Sequence, residues 1–141
     1  MSKLAILNCD DFGMSSRINQ GVLEAHNRGV LNSTTLLVNH RAAFEAAAIA
    51  RDNPELGVGL HLDLEALFNF KASVYYGKSV SDVKSNTLAL VLKQQSLIED
   101  MIIEQVEKFK YLNLNMTHLD GHNHVHLFPG VFEIVVAQIQ Q

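Results

Sequence analysis

The sequence predicts an α/β fold with a parallel, TIM-like arrangement, of which about four βα units are present. Short apolar runs rich in β-branched residues alternate with longer segments whose apolar residues recur at helical spacing, and this alternation favours a parallel sheet with right-handed crossovers. Polar side chains able to bind metal lie at the ends of three predicted strands, where the functional groups of such sheets gather.

The first half of the chain is predicted to contain three strands and two helices. The first helix has a plausible N-cap in Ser15-Ser16 and a stop signal in Gly29, and the second is closed by Asn53-Pro54. The predicted elements, in chain order, are an apolar strand at 4–7, a helix between the Ser15-Ser16 cap and Gly29, a strand at 30–39, a helix at 42–51 and a strand at 56–62.

The second half is predicted to contain a long loop, two helices and a fourth strand. Residues 63–85 lack clear periodicity, and we expect them to form a functional loop over the strand ends. A long helix has its apolar stripe between Leu97 and Leu112 and ends before Asn113. The fourth strand covers about Asn115 to Asp120, and a last helix follows Phe128-Pro129-Gly130.

Length and composition limit the class of protein. With 141 residues, 48% of them hydrophobic, the chain is one domain at most and is neither disordered nor fibrous. A net charge of −4 with scattered basic residues gives no reason to expect nucleic acid or a membrane as partner. With no signal-peptide pattern, a cytoplasmic protein is expected. The single cysteine, Cys9, is interpreted as a small core residue rather than a nucleophile.

Four histidines and an aspartate occupy alternate positions in the run Thr117-His118-Leu119-Asp120-Gly121-His122-Asn123-His124-Val125-His126. Alternate side chains of a strand share a face, so His118, Asp120 and His122 could converge until Gly121 or the following turn rotates the backbone. Such a group is costly to bury unpaired, whereas a divalent cation would hold it together. We interpret the run as part of a metal site.

Two other segments carry similar side chains. Asp10 and Asp11 are adjacent carboxylates where the first strand is expected to end, before a turn that Gly13 permits. One of the two can ligate a metal while its neighbour transfers a proton or orients a ligand. His61 lies near the end of the third predicted strand. Three strands are therefore expected to bring metal-binding side chains to one rim of the sheet.

Four segments, in this order, resemble the YdjC-like carbohydrate deacetylase family, which includes chito-oligosaccharide deacetylases. They are Asn8-x-Asp10-Asp11-Phe12-Gly13, Ser33-Thr34-Thr35, Gly59-Leu60-His61 and the histidine run from Thr117 to His126. The resemblance implies an irregular β/α barrel that removes acetyl groups from N-acetylated sugars with a divalent metal. Family members are longer, and a closed barrel takes about 250 residues. Residues 1–141 are therefore expected to be the N-terminal half of one barrel domain, that is, a truncated barrel.

The resemblance also implies roles for individual residues. Asp11, His61 and His122 would ligate the metal, and Asp10 would be the general base. His126, or alternatively His124, would contact the substrate or support a metal ligand, and an imidazole such as His126 could donate a proton to the leaving amine. The ligand types do not determine which metal ion is bound, although Mg or Zn is expected. The expected substrate is an N-acetylated oligosaccharide or disaccharide.

Several alternatives stay open. The chain could be a catalytically incomplete metal-binding fragment that self-associates as a dimer, since the first and fourth strands would otherwise expose long edges. It could be another metal-dependent hydrolase that acts on a phosphate ester, although it has no glycine-rich phosphate loop. His118 could be a hydrogen-bonded core histidine, and Asp120 could orient a ligating imidazole through its other nitrogen.

Overall fold

The computed structural model describes residues 4–64, 67, 91 and 93–139. Over these residues strands and helices alternate, as the sequence predicts. The elements are β1 (Asn8–Phe12), α1 (Ser16–Asn27), β2 (Ser33–Leu36), α2 (Ala43–Asp52), β3 (Gly57–Leu62), α3 (Gln95–Tyr111), β4 (Met116–Gly121), a 3₁₀ helix (His122–Leu127) and α4 (Val131–Ile139).

The four strands form one parallel sheet in the order β1-β2-β3-β4. The predicted α/β class is therefore confirmed, while closure into a barrel stays a prediction. Most of the predicted loop at 63–85 lies outside the described residues. Within the described part of the chain, no helix is long and apolar enough to cross a membrane.

The first strand differs from the sequence prediction. The apolar run at 4–7 is not a strand, and Leu4 and Ile6 are 97% and 82% exposed. The side-chain amide of Asn32 donates to the carbonyl of Ala5 (2.9 Å) and accepts from the backbone N–H of Leu7 (2.8 Å). The Asn32 side chain thus takes the place of a neighbouring strand as the partner of these two backbone groups. Regular strand pairing begins only at β1.

The two adjacent carboxylates lie inside β1 rather than after it. Cys9 pairs with Thr34 of β2, and the next registered pair is Phe12 with Leu36. Asp10 and Asp11 therefore stand opposite a single residue of β2, which is the geometry of a β-bulge. Asp11 has a φ of +65°, so the two acids do not alternate as they would on a regular strand.

Local sequence signals place α1 as predicted. The Ser15 hydroxyl accepts from the backbone N–H of Ile18 (3.3 Å), and Gly29 follows the helix with a φ of +72°. The helix buries Val22 and Asn19. In α2 the buried face is made of alanines, whose small side chains allow close approach to neighbouring elements; they are Ala43, Ala46, Ala47 and Ala50.

The chain divides into two compact units. The first consists of Met1–His61 and Gln105–Asp120, and the second of Leu62–Glu104 and Gly121–Gln141. The first contains α1, α2 and nearly all of the sheet, while the second contains the 3₁₀ helix and α4. On α3 most of the predicted stripe is buried, including Ile98, Ile102 and Phe109, whereas Leu97 is 48% exposed.

Candidate metal centre

His61 is the central side chain of the candidate site. It is the penultimate residue of β3 and is 2% exposed. Its Nδ1 is 2.6 Å from Oδ1 of Asp120, and its Nε2 is 3.5 Å from Oδ1 of Asp11. An ionised carboxylate can only accept a hydrogen bond, so Nδ1 carries the proton that is donated to Asp120. In the neutral ring, the lone pair of Nε2 then points towards Asp11.

The separation between Asp11 and His61 fits a shared cation. A distance of 3.5 Å is long for a hydrogen bond between Nε2 and the carboxylate. Two ligand atoms that each lie about 2.1 Å from a tetrahedral ion are roughly 3.4 Å apart. The unprotonated Nε2 and the carboxylate oxygen therefore have both the spacing and the chemistry of two ligands to one divalent metal.

The charge around His61 also favours a cation. Burial by itself lowers the pKa of His61, but the hydrogen bond to Asp120 and the negative charges of Asp120, Asp10 and Asp11 together raise it. Three carboxylates around one imidazole stabilise positive charge, whether this is a proton or a metal ion.

Asp10, His61 and Asp120 form a second group, in which one possible ligand atom from each lies within 4.8 Å of the others. The 2.6 Å contact between His61 Nδ1 and Asp120 leaves no room for an ion between those two atoms. This group is better described as a hydrogen-bonded support for His61. Within this group Asp120 orients the imidazole of His61, which is one of the roles that the sequence allows for Asp120.

Asp10 is the exposed carboxylate of this group. Its Oδ1 accepts a hydrogen bond from the side-chain amide of Asn8 at 2.8 Å. The neighbouring Cys9 is half-buried, so its interpretation as a core residue is wrong: β1 is an edge strand of the described sheet. Burial, followed by the charges of Asp10 and Asp11, raises the pKa of the Cys9 thiol. A raised thiol pKa agrees with the view that Cys9 is not a nucleophile.

His118 shares a face of β4 with Asp120, and both line a cleft of about 540 Å³ at the sheet. Its Nδ1 lies 2.8 Å from the hydroxyl of Thr117. The ring packs on Gly59, where an added Cβ would come within 2.8 Å of the imidazole. His118 is thus hydrogen-bonded, as predicted, but half-buried rather than part of the core.

The other predicted site histidines belong to the second unit. The strand alternation ends at Gly121, and His122 begins the 3₁₀ helix. His122 and His126 are half-buried, whereas His124 is exposed and has a φ of +57°. The His126 ring packs on Gly121, where an added Cβ would lie 2.6 Å from Nδ1. The roles of His122, His124 and His126 stay predictions.

Sequence reasoning did not assign a role to two residues of the first unit, Thr35 and Asn19. Thr35 is a β-branched residue on a strand, a position that needs no functional explanation. Asn19 is fully buried; it accepts from the backbone N–H of Gly13 (2.8 Å) and donates to the carbonyl of Ala42 (3.1 Å). Asn19 lies three residues before Val22, so helical spacing places both side chains on the same buried face of α1. This spacing indicates from the sequence that Asn19 is buried.

Comparison with known proteins identifies the family of this chain and agrees with its fold. The sequence model of the family described as "YdjC-like protein" matches residues 4–141. The chain belongs to this family. The resemblance identified from the motifs is therefore confirmed.

Two relatives of the YdjC-like chain are named "Carbohydrate deacetylase". The one from Geobacillus stearothermophilus is 39% identical over 145 residues, covering 96% of this chain and 55% of the relative. The one from Clostridium beijerinckii is 40% identical over 134 residues, covering 92% of this chain and 54% of the relative. The chain spans about half the length of the curated relatives it matches.

A crystal structure from Enterococcus faecalis V583, described as "a putative cellobiose-phosphate cleavage protein", has a similar fold. It superposes with a TM-score of 0.67 at 26% sequence identity, over 96% of this chain and 54% of that one. The similarity agrees with the parallel α/β architecture.

Proposed function

We propose that this chain carries the metal-binding part of a carbohydrate N-deacetylase, a hydrolase that removes acetyl groups from N-acetylated sugars of the chito-oligosaccharide type. Family membership and the names of two relatives support the reaction class. The observation that carries the metal dependence is the orientation of His61, whose Nδ1 is bonded to Asp120 while Nε2 faces Asp11.

The proposed ligands are Asp11, His61 and His122, and the proposed metal is Mg or Zn. Two imidazoles and one carboxylate leave coordination positions for water and substrate, as expected of a catalytic site. A divalent cation bound by this set would polarise the acetyl carbonyl and lower the pKa of a water molecule. The other residues then need only to move protons and position the sugar.

Asp10 and His126 are the proposed proton carriers. The Asp10 carboxylate accepts a proton from the attacking water, whose oxygen bonds to the acetyl carbon. The imidazolium of His126 donates a proton to the amide nitrogen as the C–N bond breaks. The products are acetate and a free amino sugar, so the reaction consumes one water for each acetyl group released.

Two other functions serve as alternatives in the test. An incomplete metal-binding fragment would hold a cation without turnover and would self-associate as a homodimer. A hydrolase acting on a phosphorylated sugar is suggested by the description of the similar crystal structure, which names cellobiose-phosphate. Release of acetate or of phosphate from matched disaccharides separates these reactions, and sedimentation of the purified chain gives its size.

The metal assignment is tested by elemental analysis of the purified 141-residue chain and three variants. We expect about one divalent ion per chain in the wild type and in the control His40→Ala, and clearly less in His61→Ala and His122→Ala. Unchanged metal content in both site variants would refute the assignment of His61 and His122 as metal ligands. Acetate release from N,N'-diacetylchitobiose by the loaded chain supports the deacetylase, whereas phosphate release from a cellobiose phosphate would contradict it.

A further inference from the structure

The hydroxyl of Thr35 lies at the centre of the polar group around His61. Thr35 is fully buried on β2, opposite the β1 bulge. Its Oγ1 is 3.1 Å from Oδ2 of Asp120, 3.3 Å from Nδ1 of His61 and 3.5 Å from Oδ1 of Asp10. The side-chain amide of Asn8 approaches the same oxygen at 3.5 Å. One hydroxyl thus contacts groups from three other strands.

The hydroxyl has a single proton, and the distances indicate where it points. The Nδ1 proton of His61 is already directed at Asp120 Oδ1, so His61 offers no acceptor on that side. The shortest contact of Thr35 to an acceptor is that to Asp120 Oδ2. Both oxygens of Asp120 are therefore bonded, one by His61 and the other by Thr35. A carboxylate held at both oxygens has little freedom to rotate.

We propose that Thr35 is a positioning residue, which orients His61 through Asp120 so that Nε2 keeps its lone pair directed at the metal. The proposal rests on the proposed function, because it gives Thr35 a role in building the same metal centre. Loss of the hydroxyl would remove the hydrogen bond to Asp120 Oδ2 and would allow the carboxylate and the imidazole to turn together. Carboxylates that orient metal-binding histidines directly typically contribute 10–100-fold to metal affinity, and Thr35 holds the carboxylate that would do so here.

Three substitutions on β2 separate this role from a general effect on the strand. Thr35→Val removes the hydroxyl and keeps the shape, whereas Thr35→Ser keeps the hydroxyl. Thr34→Val is the matched control, since Thr34 is equally buried on the same strand but donates to the carbonyl of Cys9 at 2.7 Å. If Thr35→Val does not fold, Thr35→Ala removes the same hydroxyl with a smaller side chain.

The first measurement is the dissociation constant of Co²⁺ from the purified chain, obtained by competition with a chelator. We expect Thr35→Val to bind Co²⁺ about 10–100-fold more weakly, with Thr35→Ser and Thr34→Val close to the wild type. An equal loss of affinity in Thr34→Val would show a general strand effect and would overturn the proposal.

The second measurement is the tautomer of His61 in the metal-free chain, observed by ¹⁵N NMR at a pH where the ring is neutral. The signal is assigned by its loss in His61→Asn. The wild type and Thr35→Ser should show the Nδ1–H tautomer, and Thr35→Val a mixture. Thr35→Val with a wild-type tautomer and wild-type Co²⁺ affinity would refute the role of Thr35. A wild-type chain that binds no Co²⁺, but whose tautomer depends on Thr35, would refute the metal centre alone.

Discussion

Replacing Gly13 by alanine should destabilise the fold, whereas the same change at Gly21 should stabilise it. Gly13 directly follows Phe12, the last residue of β1, and has a φ of +90°. A Cβ built there would lie 2.8 Å from Cδ1 of Leu36 and 3.0 Å from the carbonyl oxygen of Leu37. Leu37 cannot easily retreat, because its backbone N–H donates to the carbonyl of Phe12 at 2.8 Å.

The size of the effect follows from two costs. A non-glycine residue in the left-handed region costs about 1–2 kcal/mol, and overpacking against fixed neighbours costs about 1–3 kcal/mol. Gly13→Ala should therefore lower the free energy of unfolding by roughly 2–5 kcal/mol. Gly21 lies in the exposed part of α1 with no atom within 4 Å of an added Cβ. Alanine is the better helix former there by about 0.5–1 kcal/mol.

Equilibrium urea unfolding, followed by circular dichroism, measures both effects in the metal-free chain. A change of midpoint at constant slope reports stability. The reasoning is refuted if Gly13→Ala unfolds within about 0.5 kcal/mol of the wild type, the range of ordinary surface substitutions. It is also refuted if both alanines shift stability in the same direction. Because Gly13 is two residues from Asp11, the variant should also bind Co²⁺ more weakly.

Two further predictions concern the same region. Asn19→Ala should lower the free energy of unfolding by about 1–3 kcal/mol, because it leaves the N–H of Gly13 without its partner while the carbonyl of Ala42 keeps its helical bond. Asn27→Ala, at an exposed residue of α1, is the control, and an equal change in both variants in urea unfolding would contradict the reasoning. Asp10→Asn should keep metal binding but abolish acetate release in the active protein; wild-type turnover would remove Asp10 as the base.

Where a boundary depends on local chemistry, the sequence predicted it well. The start of α1 depends on the Ser15 hydroxyl, which accepts from a backbone N–H three residues later, and its end on Gly29. The start of β1 depends instead on Asn32, which is 25 residues away from Leu7 in the chain. A hydrogen bond of this range leaves no trace in the periodicity of residues 4–7, so the strand was predicted too early.

Some features of the candidate site could likewise be predicted from the sequence, and others could not. His61 and Asp11 could be found because metal-binding side chains near the ends of parallel strands meet at one edge of the sheet. The bulge that changes the direction of Asp11 could not be found, because it depends on the register between β1 and β2. Thr35 could not be found either: its key partner, Asp120, lies 85 residues further along the chain.

Polar side chains on β1, β2, β3 and β4 cost free energy when they are buried, and packing alone does not explain why they are present. Valine at position 35 would suit a buried strand at least as well as threonine, and a hydroxyl buried without partners costs about 1–3 kcal/mol. Hydrogen bonds that join Thr35 to Asp120, and Asp120 to His61, offset this cost. A chain of hydrogen bonds of this kind fixes the direction of each member. The direction it fixes is that of His61 Nε2, the atom on which the proposed metal centre depends.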